Sequence, residues 1–263
     1  MSTVAHARSG DVAIAYETVG DGPPLLLMQG LGYARRGWGP AIEQLASSFR
    51  VTFYDNRGIG ESDKPAGPYT ARDLADDAVA VLDAVGEARA HVVGASLGGM
   101  AAQELAIGFP ERVDRLVLAC TTPGGADAYP LPAPTLALFA EAPTLAPEVA
   151  LRKFVANSLS DGAPDELVEE IFRWRLANPP DPAGWQAQAA AGTTYDGAGR
   201  AREISTPTLV VHGTDDNVVD TRNAELLGTL IPNARVELLE GCGHLCFWEQ
   251  PERFARVVEE FLS

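Results

Sequence analysis

One stretch restricts this chain more than any other: Gly94-Ala95-Ser96-Leu97-Gly98-Gly99. The apolar run His91-Val92-Val93 before it reads as the end of a strand, and residues 100–107 after it read as a helix. A strand that becomes a helix at a single serine needs a very sharp bend. The bend strains the serine backbone, and the residues two before and two after it must lack side chains, as Gly94 and Gly98 do. In return the hydroxyl stands free above the sheet, and the N–H of the next residue points at whatever that oxygen attacks. A serine so flanked requires strands and helices in alternation.

The rest of the chain supplies that alternation. Residues 12–18 are strand-like, and Gly20-Asp21-Gly22-Pro23-Pro24 is a turn by composition. Leu25-Leu26-Leu27-Met28 and Val51-Thr52-Phe53-Tyr54-Asp55 read as short strands buried on both faces, with a helix over 38–48 between them. From Thr70 the chain is helical. Leu74, Ala78, Val81, Leu82 and Val85 recur at three- and four-residue spacing opposite Asp73, Asp76, Asp77 and Asp83. Thr70 is the expected N-cap, and Gly86 ends the helix. Strands follow at 90–93 and 113–119. The rhythm then breaks between Thr121 and Ser205, where a Pro/Gly/Ala-rich opening gives way to helical patterns near 147–158, 164–177 and beyond Pro182. It resumes with a strand at 207–212, a helix at 220–231, a strand at 234–239 and a closing helix at 249–262. The expected architecture is a mostly parallel, doubly wound sheet built from residues 1–121 and 205–263, with an inserted helical cap over 122–204.

Composition narrows the partners. A net charge of −16 argues against nucleic acid or an anionic membrane surface. No apolar run approaches the roughly 18 residues needed to span a bilayer, and Met1–Arg8 lacks the apolar core of a secretory signal. A cytoplasmic location is expected. Three cysteines, at 120, 242 and 246, make no disulfide framework. No second Cys/His cluster completes a zinc site around Cys242-Gly243-His244-Leu245-Cys246, so no metal is expected there. Nothing in the chain indicates an oligomeric state.

A serine hydroxyl is a poor nucleophile near neutral pH. It needs a base within hydrogen-bond reach, a group that orients the base, and donors for the oxyanion. In open parallel sheets such groups gather at the carboxyl ends of strands. After the strand at 207–212 comes Gly213-Thr214-Asp215-Asp216, and after the strand at 234–239 comes Glu240-Gly241-Cys242-Gly243-His244. The chain order is thus Ser96, an aspartate, then His244, with Asp216 preferred over Asp215. Of the other histidines, His6 is terminal, His91 starts a strand at the wrong end of the sheet, and His212 reads as structural.

These motifs, together with Asp55-Asn56-Arg57-Gly58-Ile59-Gly60-Glu61-Ser62 and Gly243-His244…Glu249-Gln250-Pro251-Glu252, resemble the α/β-hydrolase superfamily over essentially the whole chain. Small capped esterases, 3-oxoadipate enol-lactonases and cofactor-free haloperoxidase-like esterases are the most similar in flavour. In the family's His-Gly-x-x-Asp pattern the acid falls on Asp216. Where the family has His-Gly-x after the third strand, this chain has Gln29-Gly30-Leu31. The resemblance implies an oxyanion hole made by the N–H groups of Leu31 and Leu97, which survives the change to Gln29. A serine at position 96 disfavours the haloalkane dehalogenases and epoxide hydrolases of this fold, which use aspartate there.

The implied chemistry is hydrolysis of a small or medium, largely apolar carboxylic ester or lactone. It proceeds through an acyl-enzyme and needs neither metal nor organic cofactor. Gln29, Phe172, Trp185 and Leu245 are the expected pocket residues. Cleavage of a carbon–carbon bond by the same three residues is the nearest enzymatic alternative, and a non-catalytic ligand sensor is an alternative of another class.

Overall fold

The computed structural model describes residues 3–263. Met1 and Ser2, the first residues of the Met1–Arg8 segment that lacks a signal's apolar core, lie outside them. Eight strands form one sheet: β1 (Ala5–Ser9), β2 (Val12–Val19), β3 (Pro24–Met28), β4 (Arg50–Tyr54), β5 (Ala90–Ala95), β6 (Val113–Ala119), β7 (Thr208–Gly213) and β8 (Arg235–Leu239). Their order is β1-β2-β4-β3-β5-β6-β7-β8. The β1/β2 and β2/β4 pairs are antiparallel and every other pair is parallel.

Alternation along the parallel strands sends side chains to two cores. Leu25, Leu27, Val93, Val117 and Val211 face α1 (Ala41–Ala46) and α10 (Pro251–Leu262). Leu26, Met28, Val92, Leu116 and Val210 face α2 (Ala71–Ala84), α3 (Leu97–Gly108) and α8 (Arg222–Leu230). Continuous apolar strands are what two buried faces demand. Helix α2 opens with a full capping box, in which the Thr70 hydroxyl accepts from the Asp73 amide and the Asp73 carboxylate accepts from the Thr70 amide.

Between β6 and β7 lie four helices: α4 (Ala133–Glu141), α5 (Pro147–Asn157), α6 (Asp165–Ala177) and α7 (Pro182–Thr194). The short α9 (Cys246–Glu249) precedes α10. Besides α9, two elements exceed the expectation. Strand β1 pairs with β2 across a Gly10 turn, and α4 forms within the proline-rich opening of the insertion. Pro132 caps α4 and Pro134 sits in its first turn, where a missing N–H costs nothing.

The bend at Ser96 has the expected form. Its φ is +54°, in the region that side-chain-bearing residues avoid. A Cβ on Gly94 would lie 2.4 Å from the Gly98 carbonyl oxygen, and one on Gly98 would lie 2.0 Å from that of Met28. Both obstacles are backbone, one at the end of the central strand β3 and one in the first turn of α3, so neither can yield. Gly98→Ala is therefore expected to cost more than ~3 kcal/mol and lower the melting temperature by roughly 6–12 °C. Calorimetry checks this, and an unchanged transition would mean that the turn can open.

Candidate active site

The carboxyl ends of β3, β5, β7 and β8 bring the predicted residues together. Asp216 lies just beyond β7, in a loop that its own carboxylate organises. Its Oδ1 accepts from the amides of Val218 at 2.7 Å and Val219 at 2.8 Å. Its Oδ2 lies 2.8 Å from Nδ1 of His244. Asp215 takes no part, since its carboxylate accepts from the Thr214 hydroxyl at 2.9 Å. Gly213 allows the two loops to touch, since a Cβ there would lie 2.3 Å from the carbonyl oxygens of Cys242 and Gly243, and Gly243 lets the histidine loop meet the insertion, where a Cβ would lie 2.4 Å from the Leu159 carbonyl carbon. Glu249 ties the histidine loop to the insertion, because its carboxylate accepts from Gly243 N at 2.6 Å and from the Ser160 hydroxyl at 2.6 Å.

His212 plays a larger part than its sequence position suggested. Its Nε2 lies 3.0 Å from Asp216 Oδ2 and 3.1 Å from the Val219 carbonyl oxygen. Asp216 thus serves two imidazoles. Burial by itself pushes the Asp216 carboxyl up, but the attraction and hydrogen bonds of His244 and His212 outweigh it and hold the group well below the usual carboxylate range. Burial likewise pushes His212 down, and the Asp216 hydrogen bond, nearby negative charge and the Val219 carbonyl together outweigh it, leaving it raised.

These shifts predict a pH dependence of stability. A depressed carboxyl stabilises the fold fully above its unfolded value near ~4, and that contribution is lost as the pH falls toward the folded value. A raised His212 contributes fully below ~6.5 and loses it as the pH rises through its folded value. The urea midpoints of wild type and Asp216→Asn are therefore expected to begin to approach each other as the pH falls from about 4 to 3. A gap that stays constant over that range would show that the charge of Asp216 contributes nothing.

Ser96 and His244 both face a cavity of about 700 Å³ between the sheet and the inserted helices. The Gln29-Gly30-Leu31 loop lies against the serine, since a Cβ on Gly30 would be 3.1 Å from Ser96 Cβ and 3.7 Å from its Oγ. The Gln29 side chain accepts from the Gly30 amide at 2.6 Å, and Asn56 Nδ2 donates to the Gln29 carbonyl oxygen at 2.8 Å. Asn56 follows Asp55, a buried carboxylate that accepts from the Arg35 amide, the Arg35 guanidinium and the Glu61 amide. The glycine-punctuated loop at 55–62 thus braces the Gln29 loop. The Leu31 amide has no hydrogen-bond partner among the described residues. Leu97 opens α3, where a first-turn amide has no carbonyl one turn behind it.

Of the expected pocket residues, Gln29, Trp185 and Leu245 line the cavity. Phe172 does not. It is buried beneath the Arg152 guanidinium, 4.0 Å from its ring, because its side of α6 packs on α5. Phe139 on α4, Phe154 on α5 and Arg175 on α6 line the cavity instead. Among the described residues, one group holds metal-ligating atoms close together: Cys120, Asp216 and His244, within 4.8 Å of one another. The Cys120 thiol is pushed well above its ordinary range, first by its contact with Cys246 Sγ at 3.7 Å and then by burial. The remaining pair is already joined by a hydrogen bond.

A half-buried serine, an imidazole held by a buried carboxylate and unspent amides around one cavity are groups that acyl-transfer chemistry can use. Residues 23–251 match the family model of the alpha/beta hydrolase fold, and the chain belongs to that family. It is 32% identical to 3-oxoadipate enol-lactonase 2 of Acinetobacter baylyi over 257 residues, covering 96% of this chain and 94% of that one. It is 33% identical to the 2-hydroxy-6-oxononadienedioate/2-hydroxy-6-oxononatrienedioate hydrolase of Burkholderia vietnamiensis, covering 96% and 91%. The crystal structure of a hydrolase from Pseudomonas aeruginosa superposes with a TM-score of 0.84 at 31% identity, covering 99% and 98%. Among the described residues no helix is long and apolar enough to cross a membrane.

Proposed function

We propose that the protein hydrolyses a carboxylic ester or lactone by way of a Ser96 acyl-enzyme. The observation that carries this reading is the Asp216–His244 hydrogen bond of 2.8 Å, made beside a cavity that Ser96 also lines. Asp216 accepts the Nδ1 proton of His244 and so fixes the tautomer whose Nε2 is free to act as base. His244 takes the proton of Ser96 as the hydroxyl oxygen adds to the carbonyl carbon. The amides of Leu31 and Leu97 hold the oxyanion, each such donor being worth on the order of 3 kcal/mol. His244 then protonates the leaving alkoxide. Water, deprotonated by the same imidazole, attacks the acyl-enzyme and releases the acid and the free serine. In this reading residues 122–204 act as a cap, and Phe139, Phe154 and Trp185 hold the apolar body of the substrate.

The enol-lactonase relative supports the lactone form of this reading, and the nonadienedioate hydrolase relative supports carbon–carbon cleavage as the second one. Purified protein assayed on p-nitrophenyl esters of two to twelve carbons, then on lactones and dienoic diketones, separates them. Turnover of esters or lactones supports the leading reading. Turnover of the diketones alone favours the second. Tight binding of such compounds by folded protein with no turnover would instead support a sensor.

A further inference from the structure

We infer that the cavity carries an anion subsite at Arg175, and that the ester or lactone turned over at Ser96 bears a carboxylate a short chain away from the reacting carbonyl. This rests on the function proposed above and narrows its substrate class.

The fold's other buried arginine heads are held by carboxylates. Arg35 is bonded to Glu17, Asp55 and Glu61, and Arg57 to Asp77. Arg175 is as deeply buried as Arg35, at 9% exposure against 8%. Yet it forms no ion pair among the described residues. Its Nη1 donates to the Gly32 carbonyl oxygen at 2.6 Å, and its guanidinium lies 4.1 Å from the centre of the Tyr33 ring. That leaves Nε and Nη2 without an acceptor, and neither is sealed inside the protein. A buried permanent charge without a counter-ion is costly, and a ligand that supplies one relieves that cost.

The surroundings fit an anion. In a chain of net charge −16, no aspartate or glutamate lines the cavity, and Arg175 is its one permanent charge. A second donor stands beside it. A Cβ on Gly32 would lie 2.9 Å from Trp185 Nε1 and 3.7 Å from Arg175 Nη2, so the indole nitrogen and the guanidinium lie side by side against the loop. A planar fork flanked by an indole N–H suits a carboxylate. Gly30 touches Ser96 and Gly32 touches Arg175, and two residues of chain span at most ~7 Å. The carboxylate and the reacting carbonyl are therefore ends of one small molecule.

The experiment compares monoethyl succinate, glutarate and adipate, each with its neutral amide, in wild type, Arg175→Met and Arg175→Lys. The readout is the ratio of kcat/KM for acid over amide, in which any general loss cancels. Wild type is expected to favour the acid by about 10- to 100-fold for at least one chain length, Arg175→Met to abolish the preference, and Arg175→Lys to keep part of it. A wild-type ratio near one, or a ratio unchanged by Arg175→Met, overturns the subsite while ester hydrolysis abolished by Ser96→Ala leaves the proposed function standing. If wild type hydrolyses neither compound, thermal shifts decide the subsite alone, and the proposed function fails only if the p-nitrophenyl esters and lactones are not turned over either. Adipate or glutarate then raises the melting temperature of wild type and not of Arg175→Met, or the subsite is wrong.

Discussion

Ser96→Ala is expected to lower kcat for ester hydrolysis by about 10⁵- to 10⁶-fold while leaving the protein folded. The fold tolerates the change because it removes one oxygen that makes no hydrogen bond among the described residues. The main-chain partners remain: Ser96 N donates to the Ala119 carbonyl oxygen at 2.9 Å, and the Thr121 hydroxyl donates to the Ser96 carbonyl oxygen at 2.7 Å. Alanine also suits φ = +54° no worse than serine does, since both carry a Cβ. The loss is therefore chemical. Without the hydroxyl no acyl-enzyme forms, and only the amides of Leu31 and Leu97 remain to polarise a bound carbonyl. An unchanged melting temperature together with residual turnover near the buffer rate is the expected result. Activity within tenfold of wild type would remove Ser96 from the mechanism.

Asp216→Asn is expected to cost about 10⁴-fold in kcat, for a reason visible in the hydrogen bonds. The amides of Val218 and Val219 both donate to Oδ1 and hold an oxygen there. An amide side chain at 216 must therefore turn its NH₂ toward the place of Oδ2. Two imidazoles face that place, His244 Nδ1 at 2.8 Å and His212 Nε2 at 3.0 Å. His244 then has to offer an unprotonated Nδ1, which moves its proton to Nε2, the nitrogen that must accept from Ser96. His212 loses one of its two acceptors and keeps the Val219 carbonyl oxygen, so stability falls with activity. Kinetics at saturating substrate alongside a urea titration checks both effects. A folded variant with wild-type kcat would show that His244 keeps its tautomer without Asp216.

The glycines carried most of what the sequence revealed about the site. Gly94, Gly98, Gly213 and Gly243 each sit where a Cβ would strike backbone, so their spacing around Ser96, Asp216 and His244 is a steric record of the fold. The parallel strands were legible because burial on both faces leaves unbroken apolar runs. Strand β1 was not, because at the sheet edge only Ala7 of its five residues is buried. Its signal was the Ser9-Gly10-Asp11 turn that joins it to β2. Helix α4 was hidden by prolines, which interrupt a helix interior and yet are welcome in its first turn. Arg175 was hidden in a different way. Along α6 it stands among Glu169, Glu170 and Arg173, and local patterning cannot tell a charge facing solvent from one facing a cavity. His212 was legible as a buried strand end, and its bond to Asp216 emerges only when the loop after β7 folds back.

The central claim is that Ser96 is a nucleophile activated by His244. The most direct measurement is intact-mass analysis with peptide mapping after exposure to a fluorophosphonate, run on wild type, Ser96→Ala and Asp216→Asn. The account predicts one adduct per wild-type chain, carried on the peptide that contains Ser96, none on Ser96→Ala, and labelling slowed by orders of magnitude in Asp216→Asn. A folded wild type that stays unlabelled, or that carries the adduct on another residue, would contradict it.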